Sequence, residues 1–376
     1  SFNVAVGVNA GNAVTTGVNN TLLGALAGDA LTDADHNTAV GRGSLGADTL
    51  GSRAVAVGFG ALSSQNFTTA TDNYNVAVGF NAGVLVSTGV QNTLMGGTTG
   101  DALTTGSENT ALGISALTRD TAGSKTVAVG GTALAYQNFT TATDSYNTAV
   151  GYAAGLSVST GSTNTFVGGL AGDSVTSGGG NVYIGFDCAA FQNNATEGDD
   201  NVYVGAFARP SAATVDSEIA IGRYVLGQGT LTATLGINGN GATISIDGSD
   251  TSWAAHSDER LKDNITTSTA GLSFINDLRP VTYTWKAKNE ISEDFTNYYD
   301  AESSDPVNGT AGKTYHGFVA QEVKATIDAH SEIANGNNLW AERVDDIQQL
   351  APGNLVPMLV KAIQELSAEI ETLKGG

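Results

Sequence analysis

The sequence predicts a mainly β protein, in which a homotrimeric β-solenoid of about 17 residues per coil precedes a small α+β domain ending in a trimeric coiled coil. Three observations lead to this prediction. A five-residue motif that ends in Gly recurs thirteen times before residue 223. The composition changes near residue 250, because 41 of the 49 Gly lie before that point and all three Trp lie after it. Near the C-terminus, hydrophobic residues alternate at steps of three and four.

The solenoid is predicted for residues 1–250, because a unit of 17 residues cannot bury its own hydrophobic face and must stack on its neighbours. The motif first appears as NVAVG (Asn3–Gly7), and a turn such as VTTGVNN (Val14–Asn20) closes the coil. Every fourth interval is longer, or nearly so, which makes a super-repeat of 72 residues. The two longest intervals contain the near-identical loops QNFTTATDNYN (Gln65–Asn75) and QNFTTATDSYN (Gln137–Asn147).

Equivalent positions of the repeat, called columns below, predict which face of each strand points inward. The residue before the motif Gly is always Val, Leu, Ile or Met, and the residue three before it is always Val, Thr or Ile. These two residues share one face of a strand, and we expect that face to point inward. The residue between them is Ala in eight of thirteen copies, and we expect this Ala column to pack on another copy of the chain. Asn stands four before Gly in ten of thirteen copies, which predicts a stacked side-chain ladder.

Charge and composition exclude several classes of protein. The formal net charge is −21, so we expect no nucleic-acid partner, because binding a phosphate backbone needs Lys and Arg. No run of about 18 apolar residues is present, so we expect no membrane insertion. The 5 Pro are too few for collagen, and an apolar content of 41% is too high for a disordered chain. The chain starts at Ser1, and we expect it to be the C-terminal part of a longer protein.

Several residues suggest binding sites, and each also has a simpler structural interpretation. The two loops are expected to expose four aromatic residues, which either stack on host sugars or pack within the turns: Phe67, Tyr74, Phe139 and Tyr146. Cys188 lies in a small-residue column and is predicted to be a packed core residue. The acidic run Glu197–Asp200 is interpreted as a solvated turn in preference to a Ca²⁺ site. The four His show no metal-ligand spacing, so we predict no metal and no cofactor.

The segment 354–374 predicts a coiled-coil helix. Its hydrophobic residues are spaced 3, 4, 3, 4 and 3, which is the a/d seam of a heptad repeat: Val356, Leu359, Ile363, Leu366, Ile370 and Leu373. The alternative is a single amphipathic helix that packs on the core of its own chain. We favour the coiled coil because the flanking residues are polar.

Two parts of the chain resemble known families. NTAVGYAAG (Asn147–Gly155) is similar to the head repeats of trimeric adhesins and to repeat arrays of phage tail fibres. In residues 251–376, four motifs occur in order: SDERLKDNI (Ser257–Ile265), LRPVTYTWK (Leu278–Lys286), YHGFVAQEV (Tyr315–Val323) and the segment 354–374. Together they resemble the endosialidase-type intramolecular chaperone domain of phage tail spikes and fibres. The resemblance implies a domain that trimerises, guides folding of the preceding β-structure and then cleaves itself off.

The same resemblance implies that Ser257 is the nucleophile, Lys262 its general base and His256–Ser257 the scissile bond. A Lys can act as a base only when it is neutral, which requires desolvation. The two side chains can meet if a helix begins near Asp258, because helical side chains lean toward the N-terminus. They could also meet between two chains, which would link cleavage to assembly. From spacing alone, the preferred interpretation is that Ser257 or Asp258 is an ordinary helix N-cap.

The function predicted is that of a phage tail fibre or tail spike segment for host attachment. Its expected partners are two further copies of itself, an upstream tail-fibre or virion protein, and a host receptor such as a glycan. The fibre is expected in the virion, and the chaperone domain is expected to be released in the host cytoplasm. No enzyme activity other than self-cleavage is predicted. The alternatives are a non-cleaving trimeric surface adhesin, a structural fibre that retains its chaperone, and an ice-binding solenoid suggested by the Thr-Thr-Gly turns.

Overall fold

A computed structural model describes residues 2–190, 196–249, 253–255, 257–295, 298–333, 338–343 and 346–375. The chain forms two compact units, Ser1–Ser257 and Asp258–Gly376. The first unit is a β-solenoid, and the second is a small unit with short strands and three α-helices in its described part. Within the described residues, every helix is too short or too polar to span a lipid bilayer.

Strands of two or three residues mark the successive coils of the solenoid. In chain order they are β1 (Val4–Val6), β2 (Thr21–Leu23), β3 (Thr38–Val40), β4 (Gly51–Ser52), β5 (Val55–Val57), β6 (Thr71–Asp72), β7 (Val76–Val78), β8 (Thr93–Met95), β9 (Thr110–Leu112), β10 (Gly123–Ser124), β11 (Val127–Val129), β12 (Thr143–Asp144), β13 (Thr148–Val150), β14 (Thr165–Val167), β15 (Val182–Ile184), β16 (Val202–Val204) and β17 (Ile219–Ile221). The thirteen three-residue strands are the repeated motif and are called the motif strands below.

The motif strands stack in parallel and in register. Each pairs with the motif strand of the next coil, so that Val4, for example, lies opposite Thr21. After β17 the sheet ends in an antiparallel hairpin of β18 (Thr232–Ile237) and β19 (Asn240–Ser245), followed by β20 (Ala254–Ala255). The predicted β-solenoid of about 17 residues per coil is therefore confirmed.

The motif Gly is required by the close stacking of the coils. Gly24 has a φ of +136°, and a Cβ added to it would lie 2.6 Å from the carbonyl oxygen of Gly41 in the next coil. Any other residue would therefore be strained in its backbone and would push the coils apart. This explains why the column accepts no residue but Gly.

The inward and outward faces of the motif strands are the reverse of the prediction. The middle residue points into the solenoid, and Ala39 and Ala56 are both 0% exposed. The flanking residues point outward, so that Met95 is 41% and Ile221 is 39% exposed. Strand alternation fixes only that the two sets lie on opposite faces. The middle residue is Ala in eight coils and Leu, Phe or Tyr in the other five, and Leu side chains from outside the motif strands, such as Leu62, fill the core beside it.

The predicted Asn ladder is confirmed and uses both ends of each carboxamide. In Asn37, Nδ2 donates to the carbonyl oxygen of Gly51 at 2.9 Å, while Oδ1 accepts from the backbone N–H of Ala54 at 2.8 Å. The backbone N–H of Asn37 donates in turn to Oδ1 of Asn20. Because these groups are buried, an apolar side chain would leave several of them without partners.

Each inserted loop is anchored by a buried Asp of the preceding coil. The carboxylate of Asp48 accepts from the backbone N–H of Phe67 at 3.0 Å and from Nε2 of Gln65 at 2.6 Å. Oε1 of Gln65 then accepts from Nδ2 of Asn75 at 2.8 Å, which ties the start of the loop to its end. Asp120 forms the same contacts with Gln137 and Phe139 in the second loop. Both loops are therefore rigidly built.

Two of the three interruptions of the Asn ladder precede the inserted loops. In coils of 17 residues a ladder Asn donates to the carbonyl of the residue 14 positions later, as Asn37 does to Gly51, whereas Asn181 in a longer coil donates to Gly198, 17 positions later. The residue 14 positions after Ala54 is Thr68, inside the inserted loop. An Asn at position 54 would lose its usual acceptor, and Ala stands there instead. The second interruption, at Thr126, precedes the second loop, and Oγ1 of Thr126 accepts from Nε2 of Gln137.

The second unit is built from short elements. These are the 3₁₀ helices Glu259–Leu261, Lys288–Glu290 and Pro352–Leu355, the helices α1 (Leu272–Asp277), α2 (Ala320–Ala329) and α3 (Val356–Gly375), and the strands β21 (Val281–Tyr283), β22 (Tyr315–Gly317), β23 (Trp340–Glu342) and β24 (Gln348–Leu350). Its core is formed by Ala270, Phe274, Val323, Ile327, Ile333, Leu339 and Leu355.

Helix α3 packs on its own chain through one face and leaves the heptad seam outside. Ala362 is buried, and the carboxylate of Glu365 accepts from the backbone N–H of Leu272 at 2.7 Å. The six seam residues named above are 41% to 82% exposed. The alternative of a core helix that buries these residues in its own chain is therefore wrong. The seam is available for other chains.

Candidate functional site

The segment that carries Ser257 and Lys262 forms one short turn. Asp258 is the N-cap of the 3₁₀ helix Glu259–Leu261, and its carboxylate accepts from the backbone N–H of Arg260 at 2.9 Å. Lys262 follows the helix and donates its backbone N–H to the carbonyl of Glu259 at 3.0 Å. The predicted helix near Asp258 is therefore a single 3₁₀ turn. Asp258, and not Ser257, is the residue that caps it.

A pair of charges holds this turn in place. The guanidinium of Arg260 donates to both carboxylate oxygens of Asp258, at 2.9 and 2.6 Å. Hydrogen bonding from Arg260 lowers the pKa of Asp258, so the carboxylate stays ionised and keeps its capping role. Sequence reasoning had placed Asp258 only as a possible cap. The sequence does show that Asp258 and Arg260 are two residues apart within the first chaperone-like motif.

One chain alone leaves this segment in water. Residues 257–265 are all exposed, including Leu261 at 73% and Ile265 at 66%. A Lys becomes a base only where burial favours its neutral form. Leu261 and Ile265 therefore form an exposed apolar surface beside Lys262. His256, on the other side of the predicted scissile bond, lies outside the described residues, and the Ser257–Lys262 dyad stays a prediction.

The second and third motifs are brought together by strand pairing. Strands β21 and β22 are antiparallel, with Tyr283 opposite Tyr315. Nearby, Nε of Arg279 donates to Oε2 of Glu322 at 2.9 Å, and a second bond joins the same two side chains. Thus Arg279 in LRPVTYTWK and Glu322 in YHGFVAQEV form a bidentate pair. The motifs that are separated in sequence share one fold.

This set of motifs within one compact unit agrees with comparison to known families. Residues 257–331 match the family described as chaperone of endosialidase. The match begins at Ser257, and it includes the capped turn, α1, β21, β22 and α2. The matched family implies self-cleaving peptidase activity in general, and the solenoid before the matched region fits a tail-fibre-like chaperone role. No curated protein and no solved structure matches the chain significantly.

His330 joins two helices of the chaperone region through charge. Its Nε2 lies 2.9 Å from a carboxylate oxygen of Asp277 at the end of α1, and its Nδ1 lies 2.9 Å from Glu332. The ring also meets Phe274 edge-on, with centroids 5.5 Å apart. Asp277, followed by Glu332, raises the pKa of His330 above its usual value. The protonated imidazole therefore stabilises this corner of the region.

We expect the chaperone region to lose stability as pH rises through the folded-state pKa of His330. A raised folded-state pKa gives stability that is complete below the unfolded pKa of about 6.5 and disappears above the folded value. The melting temperature of the full chain, followed by Trp fluorescence, should fall by a few degrees across this pH range. In His330→Gln this dependence should be absent. An equal dependence in both proteins would assign it to other groups.

The flanking residues of the motif strands form a long surface without charge. This outer sheet face consists of the first and third residues of the thirteen motif strands, 26 positions in all. Six of these are Thr, and the others are Val, Leu, Ile or Met. The first 250 residues carry 18 acidic and 6 basic side chains, and none of them lies on this face. The prediction that the Ala column packs on another copy was wrong, because that column is buried in its own coil.

The inserted loops present only half of the aromatic residues expected on their surface. Phe67 and Phe139 are 6% and 8% exposed, so the expectation that they are exposed was wrong. Their backbone N–H groups bind the anchoring Asp, which directs the rings into the coil. Tyr74 and Tyr146 are 52% and 54% exposed, as expected.

Each exposed Tyr belongs to a cluster that the sequence analysis missed. The guanidinium of Arg53 lies 5.8 Å from the centroid of the Tyr74 ring, and its Nε lies 2.9 Å from Asp72. In the second loop, Lys125 lies 5.3 Å from the centroid of the Tyr146 ring and 2.6 Å from Asp144. The Asp was visible two residues before the Tyr, but the cation comes from the preceding coil.

The remaining candidate residues have structural roles. Cys188 is buried, its Sγ donates to the carbonyl of Tyr203 at 3.4 Å, and burial raises its pKa to about 12. The prediction of a packed core residue is confirmed. In the acidic run, the carboxylate of Asp199 accepts from the backbone N–H of Gly179 at 2.7 Å. Within the described ranges, no three His, Cys, Asp or Glu side chains are grouped as metal ligands.

Proposed function

We propose that the chain is part of a homotrimeric phage tail fibre or tail spike for host attachment, with a C-terminal domain that assembles the trimer and then removes itself. The observation that carries the proposal is a chaperone-of-endosialidase region directly after a solenoid of about thirteen coils. The proposed partners are an upstream tail-fibre or virion protein and a host receptor. The fibre belongs in the virion, and the released domain stays in the host cytoplasm.

Two exposed apolar surfaces support the trimer. The outer sheet face runs along the whole solenoid, and the α3 seam runs along the last helix. Each Å² of apolar surface removed from water contributes about 25 cal/mol, so a continuous face of 26 uncharged positions favours association strongly. A large exposed apolar patch on a single chain is typical of an interaction surface.

A C-terminal tether can fix the register in which the repetitive solenoids associate. Nearly identical coils could associate in several registers, and open strand edges can pair with wrong partners. A coiled coil formed by α3 holds three chains together at matched ends and raises their effective concentration. Association of the solenoids can then proceed from the tethered end in one register.

The proposed cleavage uses groups of the capped turn. Oγ of Ser257 attacks the carbonyl carbon of His256 while Nζ of Lys262 takes the hydroxyl proton. The bond from that carbon to the Ser257 nitrogen breaks, and the nitrogen receives the proton from Lys262. Water hydrolyses the remaining ester, which leaves a carboxylate at His256. Burial of Leu261 and Ile265 by another chain desolvates Lys262, so that cleavage follows assembly.

The molar mass of the uncleaved protein tests the proposal. One chain has a mass of 38.1 kDa, and we expect light scattering on Ser257→Ala to give three times that value. Ser257→Ala is used because it keeps both surfaces together in one chain. A folded monomer, or a dimer, at micromolar concentration would contradict the proposed trimer.

A further inference from the structure

The two inserted loops have the same exposed side chains, although they belong to different super-repeats. The first loop exposes Asn66, Thr68, Thr69, Ala70, Asp72 and Tyr74, and the second exposes Asn138, Thr140, Thr141, Ala142, Asp144 and Tyr146. All six positions are identical. The single difference between the loops is buried, where Asn73 is replaced by Ser145.

The coils that precede each loop behave in the opposite way. Residues 20–64 also have six exposed positions, and none of them is identical 72 residues later: Leu23 and Met95, Asp33 and Thr105, His36 and Glu108, Arg42 and Ile114, Arg53 and Lys125, Phe59 and Gly131. A requirement of folding retains buried residues and leaves exposed ones free to change. The retained surface of the loops therefore indicates contact with another molecule.

One exposed coil position keeps its charge, and it is the one that contacts the loop. Arg53 becomes Lys125, and both cations bind the loop carboxylate and lie over the Tyr ring. The buried anchors Asp48 and Asp120 hold the two loops in the same way. Both the surface cluster and its support are thus duplicated. A preorganised site of this kind loses little conformational entropy when a ligand binds.

The chemistry of the cluster indicates its ligand. The cation and the carboxylate balance each other, so the cluster has no net charge, and the net charge of −21 on the chain disfavours a polyanion. Carboxylate, carboxamide and Thr hydroxyl groups pair with hydroxyls, and an aromatic ring packs against C–H groups. We propose that the loops Gln65–Asn75 and Gln137–Asn147 are duplicate binding sites for a neutral glycan. This inference rests on the proposed role in host attachment.

The spacing of the two sites allows one ligand to occupy both. They are separated by four coils, or about 19 Å at about 4.8 Å per coil. A single extended polysaccharide can reach both sites, and binding at one raises the effective concentration at the other. Loss of one site should therefore weaken binding less than loss of both.

The test measures binding of the full chain to a printed panel of neutral oligosaccharides, with sialylated and uronic-acid oligosaccharides beside them. We expect the native chain to bind at least one neutral member. The double variant Tyr74→Ala/Tyr146→Ala should bind it at least tenfold more weakly, and each single variant should lose less. Asp72→Asn/Asp144→Asn, which keeps side-chain size, should also weaken binding.

Tyr136→Ser is the matched control, because Tyr136 is an exposed Tyr beside the second loop and its counterpart beside the first is Ser64. It should bind as the native chain does. Native-like binding by both double variants, or binding confined to the anionic members or absent from all members, would overturn the inference. Molar mass and cleavage are recorded on the same samples. If the chain binds neutral glycan through Tyr74 and Tyr146, a monomeric state would remove only the assembly proposal, and a lack of cleavage would remove only the cleavage proposal.

Discussion

Ser257→Ala is expected to abolish cleavage completely. The native chain should yield fragments 1–256 and 257–376 on denaturing electrophoresis, whereas the variant should stay as one band of 38.1 kDa. Removal of the hydroxyl leaves no nucleophile, and loss of a nucleophile in enzymes of this type lowers the rate by several orders of magnitude. Lys262→Ala should have the same effect, because the hydroxyl then has no base.

Two further variants separate the chemistry from the fold. Arg260→Lys keeps a positive charge beside Asp258 but cannot form the same two-point pair, so it should slow cleavage without stopping it. Lys374→Ala changes an exposed Lys at the end of α3 and should cleave normally. If Ser257→Ala assembles and is still cut after residue 256, the proposed dyad is wrong. Mass spectrometry of the fragments locates the cut.

Desolvation links this result to assembly. Lys262 lies in a segment that is fully exposed in one chain, and its neighbours Leu261 and Ile265 are apolar. Cleavage should therefore follow formation of the trimer and should be slow in dilute chains. A rate that does not change with protein concentration before assembly would show that a single chain completes its own site.

The solenoid could be predicted from the sequence because its requirements recur. The motif Gly returns at nearly every 17th residue, since any Cβ there meets the carbonyl of the next coil, as at Gly24. The Asn column returns because each carboxamide bonds the backbone within and between coils. Both constraints act on every coil in the same way, so they appear in the sequence as columns.

Which face of the motif strands points into the solenoid could not be predicted in the same way. Period-two alternation places Ala77 opposite Val76 and Val78, but it does not say which side is the interior. Size suggested that Val fills the core, whereas the core takes the middle residue of each motif strand, such as Ala77 or Leu94, together with Leu62 from outside the motif strands. In the proposed trimer the apolar outer face is an interface, and a pattern of hydrophobicity alone does not separate such a face from a core.

The candidate sites show a similar limit. From the first chaperone-like motif a helix near Asp258 was predicted, and the chain forms only the single 3₁₀ turn Glu259–Leu261 there. The pair of Arg53 with Asp72 joins residues 19 positions apart across an inserted loop. This separation in sequence differs from the regular period of 17, so comparison of equivalent positions in the repeat does not reveal the pair. Only the folded loop brings the two side chains together.

Val129→Asp on the outer sheet face is expected to disrupt the trimeric solenoid. In one chain Val129 is half-buried, so an Asp there costs little. In a trimer the same level would hold three carboxylates in an apolar interface, and each unpaired buried charge costs several kcal/mol. The cleaved fragment 1–256 should therefore fall from a trimer to smaller species or aggregates.

Gln91→Asp provides the matched control. Gln91 is exposed in a middle coil and does not belong to the motif strands. The substitution therefore introduces the same carboxylate outside the outer sheet face. Its fragment should remain a trimer in light scattering. Because α3 still tethers the uncleaved chain, Val129→Asp should trimerise before cleavage and dissociate only afterwards. A cleaved Val129→Asp fragment that stays trimeric would place the solenoid interface on another face.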